Sequence, residues 1–271
     1  GEGFLDADGK MEVKVPLLPE KERNSVQAAL EATVQSPSRR SISSRIQTTV
    51  HRGEFYIGLR PSTAFVKKGE GLTVDVIAAD PGGALVSKKR IQVKLIRREW
   101  RSVRKAGMGG RFSWMTEKED IEAASRTVDS GSSAEVLPFR ADQAGLYYVR
   151  ADAKDARGNS ISSSTYFYVT GEDYVPWERR DDDSIELVAD GDEYRPGDTA
   201  KILIKSPYEK AKALVTVERE SILESRVLEI QGSTTQIAVP LSSEHVPNVY
   251  VSVLLVQGRT ASAKTGENGD V

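Results

Sequence analysis

One tripeptide occurs twice in matching surroundings, and this repetition constrains the fold more than any other feature of the sequence. Ile42-Ser43-Ser44 returns 119 residues later as Ile161-Ser162-Ser163. Each copy follows a turn-like run, opens an alternating apolar and polar segment, and precedes an acidic-aromatic pair. The spacing is domain-sized and far longer than the roughly 20 to 50 residues of solenoid or propeller units. The sequence therefore predicts a tandem array of similar modules.

A second repeat marks another part of the module. An aromatic residue, then a Gly followed by an acid, precedes an alternating apolar run in both copies, at 65–76 and at 194–204. Apolar residues at every second position are typical of a strand with one buried and one wet face. Both segments are therefore predicted to be a turn that leads into a half-buried strand.

Strand signals dominate the whole chain, with Gly, Pro, Asp and Asn between them. The predicted strands are Met11–Leu17, Leu30–Gln35, Arg45–Val50, Phe55–Leu59, Leu72–Ala78, Ile91–Ile96, Val136–Phe139, Leu146–Ala151, Thr165–Val169, Ile185–Val188, Ala200–Ile204, Ala213–Glu218, Ser225–Ile230, Gln236–Val239 and Val249–Gln257. Helical periodicity is weak, and only Lys21–Leu30 and Glu117–Ala124 are predicted to be helices. The fold class is all-β, as tandem antiparallel immunoglobulin-like β-sandwiches.

The repeats divide the 271 residues into three parts. Residues 1–54 are predicted to be the C-terminal part of one module, 55–172 a complete module, and 173–271 a further module. Gly53–Pro61 and Gly171–Asp183 are predicted to connect them, the latter with packed aromatic residues. We expect both ends of the chain to fall within domains of a larger protein.

Composition excludes several classes of function. The chain has no Cys, which excludes a thiol nucleophile, a thiolate metal site and a disulfide framework. Lys and Arg number 38 and Asp and Glu 40, for a net charge of −2 that differs from the basic balance of nucleic-acid binders. No run of 18 apolar residues is present, and Gly1-Glu2-Gly3 is not a signal peptide.

The segment Asp6-Ala7-Asp8-Gly9-Lys10 begins like a calcium-binding loop. Such a loop needs oxygen ligands at its first, third and fifth positions and a Glu at its twelfth. Here the fifth residue is Lys10 and the twelfth is Leu17. We therefore predict a plain hairpin turn.

Catalytic and metal sites find no support in the remaining residues. His51 and His245 lie far apart in sequence without a nearby cluster of acids, so a zinc ion would lack two ligands. No nucleophile elbow or other positioned motif supports a Ser-His-Asp arrangement. We predict no catalytic residue, no metal, no cofactor and no enzyme activity.

The stretch Arg97–Lys105 combines basic residues with Trp100. Basic grooves with stacking aromatic residues bind single-stranded nucleic acids. A long charged hairpin, in which Trp100 packs near Trp114, is the alternative. Since the whole chain is nearly neutral, we favour the hairpin and predict no nucleic-acid partner.

The last segment, Gly258–Val271, is polar and lacks a bulky apolar residue before Val271. Such a segment cannot bury enough area to offset its ordering entropy, so it is expected to be mobile and open to proteases. Arg259 and Lys264 are side chains that trypsin-like enzymes accept. Either the segment is an ordinary frayed end, or its susceptibility to proteases has a function.

Two groups of longer segments carry a family resemblance. The first group is Glu54–Pro61, Val93–Trp100, Tyr147–Ala151 and Asp155–Asn159, and the second is Tyr194–Ala200, Ile204–Pro207, Ala213–Glu220 and Pro247–Val253. The first group resembles the macroglobulin-like domains of bacterial alpha-2-macroglobulins, and the second resembles that family's bait-region domain. These motifs occur in the family's order along nearly the whole chain.

The resemblance implies a broad-spectrum endopeptidase inhibitor that works as a trap. A protease cleaves an exposed bait segment, the surrounding domains rearrange, and the enzyme is confined. The implied partners are target endopeptidases, met by the full-length protein, and neighbouring macroglobulin and thioester domains. The family's thioester motif pairs a Cys with a Gln, so we expect no thioester in this chain, which has no Cys. The implied location is the periplasm or cell envelope, with no direct membrane contact from this chain, and the chain itself is a non-catalytic scaffold. Arg259 and Lys264 become candidate bait residues.

Two other classes remain open on the residues alone. A cell-surface adhesion or ligand-binding protein can be built from the same sandwich, because fold does not dictate function. An envelope enzyme with accessory sandwich domains would carry its catalytic motifs outside these residues. In the full-length sequence, a downstream motif similar to Cys-Gly-Glu-Gln would favour the protease trap. A downstream hydrolase signature would favour the enzyme.

Overall fold

The structure of the protein is a computed structural model that describes residues 2–15, 25–106, 112–177 and 184–258. Within these ranges the regular elements are β-strands, apart from one short 3₁₀ helix, Ser243–His245. No helix among these residues has the length and apolar character needed to cross a membrane.

The strands are numbered in chain order. They are β1 Val26–Gln35, β2 Ser41–Val50, β3 Tyr56–Pro61, β4 Phe65–Lys67, β5 Gly71–Ala79, β6 Arg90–Ala106, β7 Phe112–Asp129, β8 Glu135–Arg140, β9 Gly145–Lys154, β10 Ser160–Thr170, β11 Leu187–Ala189, β12 Thr199–Lys205, β13 Lys210–Glu218, β14 Ile222–Gln231, β15 Thr234–Pro240 and β16 Tyr250–Val256.

A central sandwich is built from strands β3 to β10. One sheet has the order β3-β5-β8 and the other β4-β10-β9-β6-β7. All pairs are antiparallel except β4 with β10, which is parallel and departs from the predicted all-antiparallel sheet. Alternate residues of these strands point between the sheets, and the fully buried core includes Phe55, Val74, Leu95, Val149 and Phe167.

A second, C-terminal sandwich is built from strands β11 to β16. Its sheets have the orders β11-β12-β15 and β14-β13-β16, and all their pairs are antiparallel. Its core lies between the sheets and includes Ile202, Ile204, Val215, Ile230 and Val239. The fold is therefore all-β and consists of tandem immunoglobulin-like sandwiches, as the alternation predicted.

Strands β1 and β2 form a separate two-stranded hairpin, in register from Val26 opposite Val50 to Gln35 opposite Ser41. One face carries apolar cross-strand pairs, such as Leu30 with Ile46. This face is largely open to solvent, and Ile42 is 78% exposed. Among the described residues no other strand pairs with it, and a two-stranded hairpin alone is marginally stable in water.

The predicted helices are wrong wherever the structure describes them. Glu117–Ala124 lies within β7, and residues 26–30 of the other segment lie within β1. Good helix formers such as Glu and Ala occupy a strand in β7 because its pairing with β6 runs through the whole length of both strands. Residues 21–24 lie outside the described residues.

Most predicted strands are confirmed, with three corrections. Met11–Leu17 is wrong where described, because residues 11–15 have no strand partner and form no strand. β4 was not predicted, since three residues are too few for a periodic signal. Gly53–Pro61 is not simply a connector, because Tyr56–Pro61 is strand β3 and pairs with β5.

Three loops share one turn design. The first residue is an Asp whose side-chain Oδ1 accepts the backbone N–H groups of the residues two and four positions later, and the fourth residue is a Gly with positive φ; the starting residues are Asp6, Asp80 and Asp155. A short polar side chain at the start and Gly in the left-handed region are the residues such turns favour. The turn predicted at Asp6 is confirmed, but the predicted hairpin is wrong where described, because residues 2–15 contain no strand.

Candidate functional site

The candidate site is the end of the C-terminal sandwich from which the chain continues towards the two predicted bait residues. β16 is an edge strand that pairs with β13 from Lys212 opposite Val256 to Glu218 opposite Tyr250. Directly after it, the Gln257 side-chain Nε2 donates to the carbonyl oxygen of Lys210 at 3.2 Å. This bond ties the chain to the neighbouring strand just before Gly258.

The predicted bait residues Arg259 and Lys264 lie outside the described residues, as does the whole tail from residue 259. The structure describes the strand that precedes them, β16. Val251, Val253 and Leu255 pack against the core of the C-terminal sandwich, whereas the alternate residues face solvent. The strand that precedes the tail is therefore fixed by core packing on one face and by backbone pairing on one edge.

A compact joint connects this sandwich to the central one. Residues 171–177 run from β10 along the turn between β14 and β15. The backbone N–H of Val175 donates to Ser233 Oγ at 2.6 Å, and the Trp177 indole Nε1 donates to the Ser233 carbonyl at 2.9 Å. Gly171 N–H donates to Thr234 Oγ1 at 3.0 Å, and the Thr234 hydroxyl donates to the Gly171 carbonyl at 2.7 Å.

An apolar cluster lies under this connection and draws on both sandwiches. From the central sandwich and the connecting segment it takes Phe65, Trp100, Ala144, Leu146, Tyr168, Val175 and Trp177, and from the C-terminal sandwich Leu203. Leu203 is on the outer face of β12, between the core residues Ile202 and Ile204, and is nevertheless 0% exposed. Burial on both faces of β12 shows that the central sandwich covers this strand.

A lysine is enclosed by aromatic rings at the edge of the cluster. Lys205 Nζ lies 4.9 Å from the ring centroid of Tyr168 and 4.8 Å from that of Trp177. The same ammonium forms a 2.5 Å ion pair with Glu186 Oε2, and its side chain is 14% exposed. Such cation–π contacts contribute about 0.5–2 kcal/mol each, more when water is excluded.

The Tyr168 hydroxyl completes this group by donating to Glu186 Oε1 at 3.1 Å. Burial raises the pKa of Tyr168 above its ordinary value, and the neighbouring Glu186 carboxylate raises it further. The phenol therefore keeps its proton and remains a donor. We call Tyr168, Trp177, Glu186 and Lys205 the lysine clamp.

The packed linker predicted at residues 171–183 is confirmed in part. Val175 and Trp177 are buried, but Tyr174 is exposed, and the charge run at 179–183 lies outside the described residues. The partners of this linker were not predicted. Ser233 and Thr234 stand more than fifty residues further along the chain and belong to no recognisable motif.

The basic stretch at 97–105 lies in strand β6 of a charged hairpin, as predicted. Arg98 makes two bonds to the Asp120 carboxylate, at 2.7 and 2.8 Å, and its guanidinium lies 4.2 Å from the ring centroid of Tyr148. The hydrogen bond raises the pKa of Arg98 and lowers that of Asp120. Trp100 is buried in the joint and pairs with Lys118 rather than Trp114, whose side chain lies outside the description.

The two histidines have local structural partners. His51 Nδ1 shares a hydrogen bond with the Tyr56 hydroxyl, and His245 Nδ1 accepts the backbone N–H of Ser242 at 3.0 Å in a capping arrangement of the 3₁₀ helix. Among the described residues no group of three His, Cys, Asp or Glu side chains is placed to hold a metal ion.

Comparison with protein families and known proteins gives consistent matches. The model of the alpha-2-macroglobulin bait region domain matches residues 185–267, and that of bacterial macroglobulin domain 6 matches residues 58–171. An alpha-2-macroglobulin homolog of Nostoc sp. is 30% identical over 204 residues, which is 74% of this chain and 10% of the relative. An alpha-2-macroglobulin of Ralstonia nicotianae is 29% identical over 144 residues, which is 53% of this chain and 8% of the relative.

Among solved structures, the native conformation of the Escherichia coli alpha-2-macroglobulin aligns with 93% of this chain and 17% of its own, at 20% identity and a TM-score of 0.45. The chain spans about a tenth of the length of the curated relatives it matches. The central sandwich lies within the match to macroglobulin domain 6 apart from the first residues of β3, and the C-terminal sandwich lies within the match to the bait region domain. The chain therefore belongs to the alpha-2-macroglobulin family.

Proposed function

We propose that this chain is a non-catalytic part of a bacterial alpha-2-macroglobulin that traps endopeptidases after they cleave a bait segment. The observation that carries the proposal is the bait region match, which begins before β11 and continues past Val256, the last residue of β16, to residue 267. It includes Arg259 and Lys264. The proposed bait segment thus begins where the core packing of the C-terminal sandwich ends.

The proposed domain limits follow the earlier division. Residues 1–54 are the C-terminal part of one macroglobulin-like domain, 55–172 a complete domain, and 173–271 the domain that leads into the bait region. The open apolar face of the β1–β2 hairpin supports the first assignment, because such a face is stable when further strands cover it. The partners would then be target endopeptidases and neighbouring macroglobulin and thioester domains, in the periplasm or cell envelope.

Bait cleavage suits this end of the sandwich for a physical reason. Protease active sites bind extended chains, so residues paired in a strand must first leave it before they can be cut. β16 is held on one face by the core and on one edge by β13. Cleavage should therefore begin after Gln257, whose side chain makes the last described bond, and spare the exposed lysines of the strands, such as Lys212.

Limited trypsin digestion of the full-length parent protein tests the proposal. The first cuts are expected between Gly258 and the following hundred residues, at Arg259 or Lys264 among other sites. The variant Arg259→Gln with Lys264→Gln should lose the cuts at these two bonds, whereas Lys201→Gln with Lys212→Gln should leave the pattern unchanged. Mass spectrometry of the early fragments identifies the bonds.

A second measurement tests the trap itself. Trypsin added to the parent protein should lose activity towards a large protein substrate and keep it towards a small peptide substrate, because a confined enzyme still has an open active site. First cuts elsewhere, with residues after Gly258 intact, would reject the bait assignment. Equal loss of both activities would reject confinement.

A further inference from the structure

We infer that the lysine clamp and the Ser233 contacts lock the two sandwiches into one rigid unit, so that they move together and do not hinge at residues 171–177. This inference concerns the joint alone and does not depend on the proposed function.

The contact between the sandwiches is narrow, so a few residues decide its stability. A cavity of about 950 Å³ opens on one flank, lined by residues of both sandwiches that include Lys67, Thr170, Lys201 and Gln236. A smaller one of about 220 Å³ lies beside Lys68, Arg97 and Val175, and its lining comes from the central sandwich and the connecting segment. Domains of one chain normally reorient unless their interface is large and apolar, and the larger cleft leaves room for such rotation.

The clamp opposes rotation because its members come from three parts of the chain. Tyr168 belongs to the central sandwich, Trp177 to the connecting segment, and Lys205 and Glu186 to the C-terminal sandwich. A rotation that opens the cleft would separate Lys205 from the Tyr168 ring and Tyr168 from Glu186, because Trp177 is bonded to Ser233 and stays with the C-terminal sandwich. It would also leave a half-buried ion pair with fewer partners, which is unfavourable where water is partly excluded.

The backbone of the connecting segment is fixed independently. Ser233 accepts the Val175 N–H at its hydroxyl and the Trp177 indole N–H at its carbonyl, and Gln236 Nε2 donates to Thr170 Oγ1 at 2.7 Å. A hinge has to change the backbone angles of a few residues. Here those residues have hydrogen bonds that such a change would break, and Leu203 would lose its apolar cover.

Spin labelling of the chain measures the rigidity directly. The sequence has no Cys, so Ser132→Cys in an exposed loop of the central sandwich and Ser225→Cys on the exposed face of β14 give one label on each sandwich. Pulsed electron resonance distances should form a single narrow distribution. Lys205→Met, which keeps the length of the side chain and removes its charge, should roughly double the width of the distribution, as should Ser233→Ala.

Two variants separate the clamp from general effects of substitution. Lys201→Met changes a lysine two positions before Leu203 on the same face of β12 and should leave the distribution narrow. Lys205→Arg keeps a cation that stacks on aromatic rings and should also leave it narrow. Circular dichroism with an unchanged strand signal shows that each variant is folded.

A broad distribution in the unsubstituted chain would overturn the inference. So would equally narrow distributions in Lys205→Met, Ser233→Ala and Lys201→Met. If a substituted chain fails to fold, small-angle scattering of the unsubstituted chain decides the same question, because a rigid pair gives a profile that one conformation reproduces. A profile that needs several interdomain angles contradicts the lock.

Discussion

A Cβ atom added to Gly232 would lie 3.0 Å from the backbone carbonyl oxygen of Glu172, on the connecting segment of the joint. Gly232 also has φ of +78°, in the left-handed region. Two requirements thus meet at one residue of the turn between β14 and β15. The turn needs the backbone freedom of Gly, and the joint needs the absence of a side chain.

We expect Gly232→Ala to destabilise the chain by about 2–3 kcal/mol, from the left-handed strain and the contact with Glu172 together. Gly83→Ala is the matched control. Its φ is +88°, but no atom lies within 4 Å of the added Cβ, so only the strain of about 1 kcal/mol applies. Urea unfolding measures the free energy of unfolding of both variants. Equal decreases would show that the close contact with the Glu172 carbonyl oxygen does not contribute.

Leu203 tests the apolar part of the joint. Leu203→Ala removes a fully buried side chain from a contact between two sandwiches, and we expect a loss of about 2–4 kcal/mol. Leu214→Ala, on the solvent-facing side of β13, should cost less than about 1 kcal/mol. Trp177 is buried in the same cluster, so its fluorescence emission maximum should shift to longer wavelength in Leu203→Ala and stay unchanged in Leu214→Ala.

The strand alternation predicted the cores of the sandwiches but not the joint. On β12 the pattern Ala200, Ile202, Ile204 correctly indicated the buried face, and the same alternation puts Leu203 on the opposite face of the strand. Leu203 is buried because Phe65 and Trp100, more than a hundred residues earlier, cover it. A periodic pattern reports the burial of a strand within its own sheet, whereas contact between modules depends on surfaces that are distant in sequence.

At the candidate bait site and the joint, too, the sequence predicted local elements and not the contacts between distant residues. The end of β16 followed from local alternation, whereas the polar tail predicted after it lies outside the described residues. The lysine clamp had no local signal, since Tyr168, Glu186 and Lys205 each fit an ordinary strand or loop position. Only the folded arrangement brings their side chains together.

The Arg98–Asp120 pair tests how much the charged hairpin β6–β7 gains from its cross-strand ion pairs. Asp120 is 42% exposed on its side chain, so water screens the pair. A double-mutant cycle with Arg98→Met and Asp120→Asn should give a coupling of about 0.5–1 kcal/mol, because the geometry is bidentate. Arg98→Met alone should cost more than Asp120→Asn alone, since it also removes the contact with the Tyr148 ring. The reverse order would show that the ring contact adds nothing.

Asp155 should make the stability of the central sandwich depend on pH. Burial by itself would raise its pKa, but hydrogen bonds from the side chain and backbone of Asn159 and from the backbone N–H groups of Glu54 and Arg157 outweigh it. The pKa is therefore lower in the folded protein than in the unfolded chain. The stabilisation is complete above the unfolded value of about 3.9 and is lost as the pH falls through the folded value.

Asp155→Asn should remove this pH dependence. It should also lower the free energy of unfolding by about 1–3 kcal/mol at pH 7, because the new amide N–H₂ group cannot accept the hydrogen bonds that the Asp155 carboxylate accepts. Asp80→Asn is the control, since Asp80 begins the same kind of turn with two backbone bonds, to Gly82 and Ala84, and should cost less. Urea unfolding of the three proteins from pH 7 to pH 3 gives the comparison. The difference between the unsubstituted chain and Asp155→Asn should shrink towards pH 3, and a constant difference would mean that the Asp155 carboxylate does not stabilise the fold through its charge.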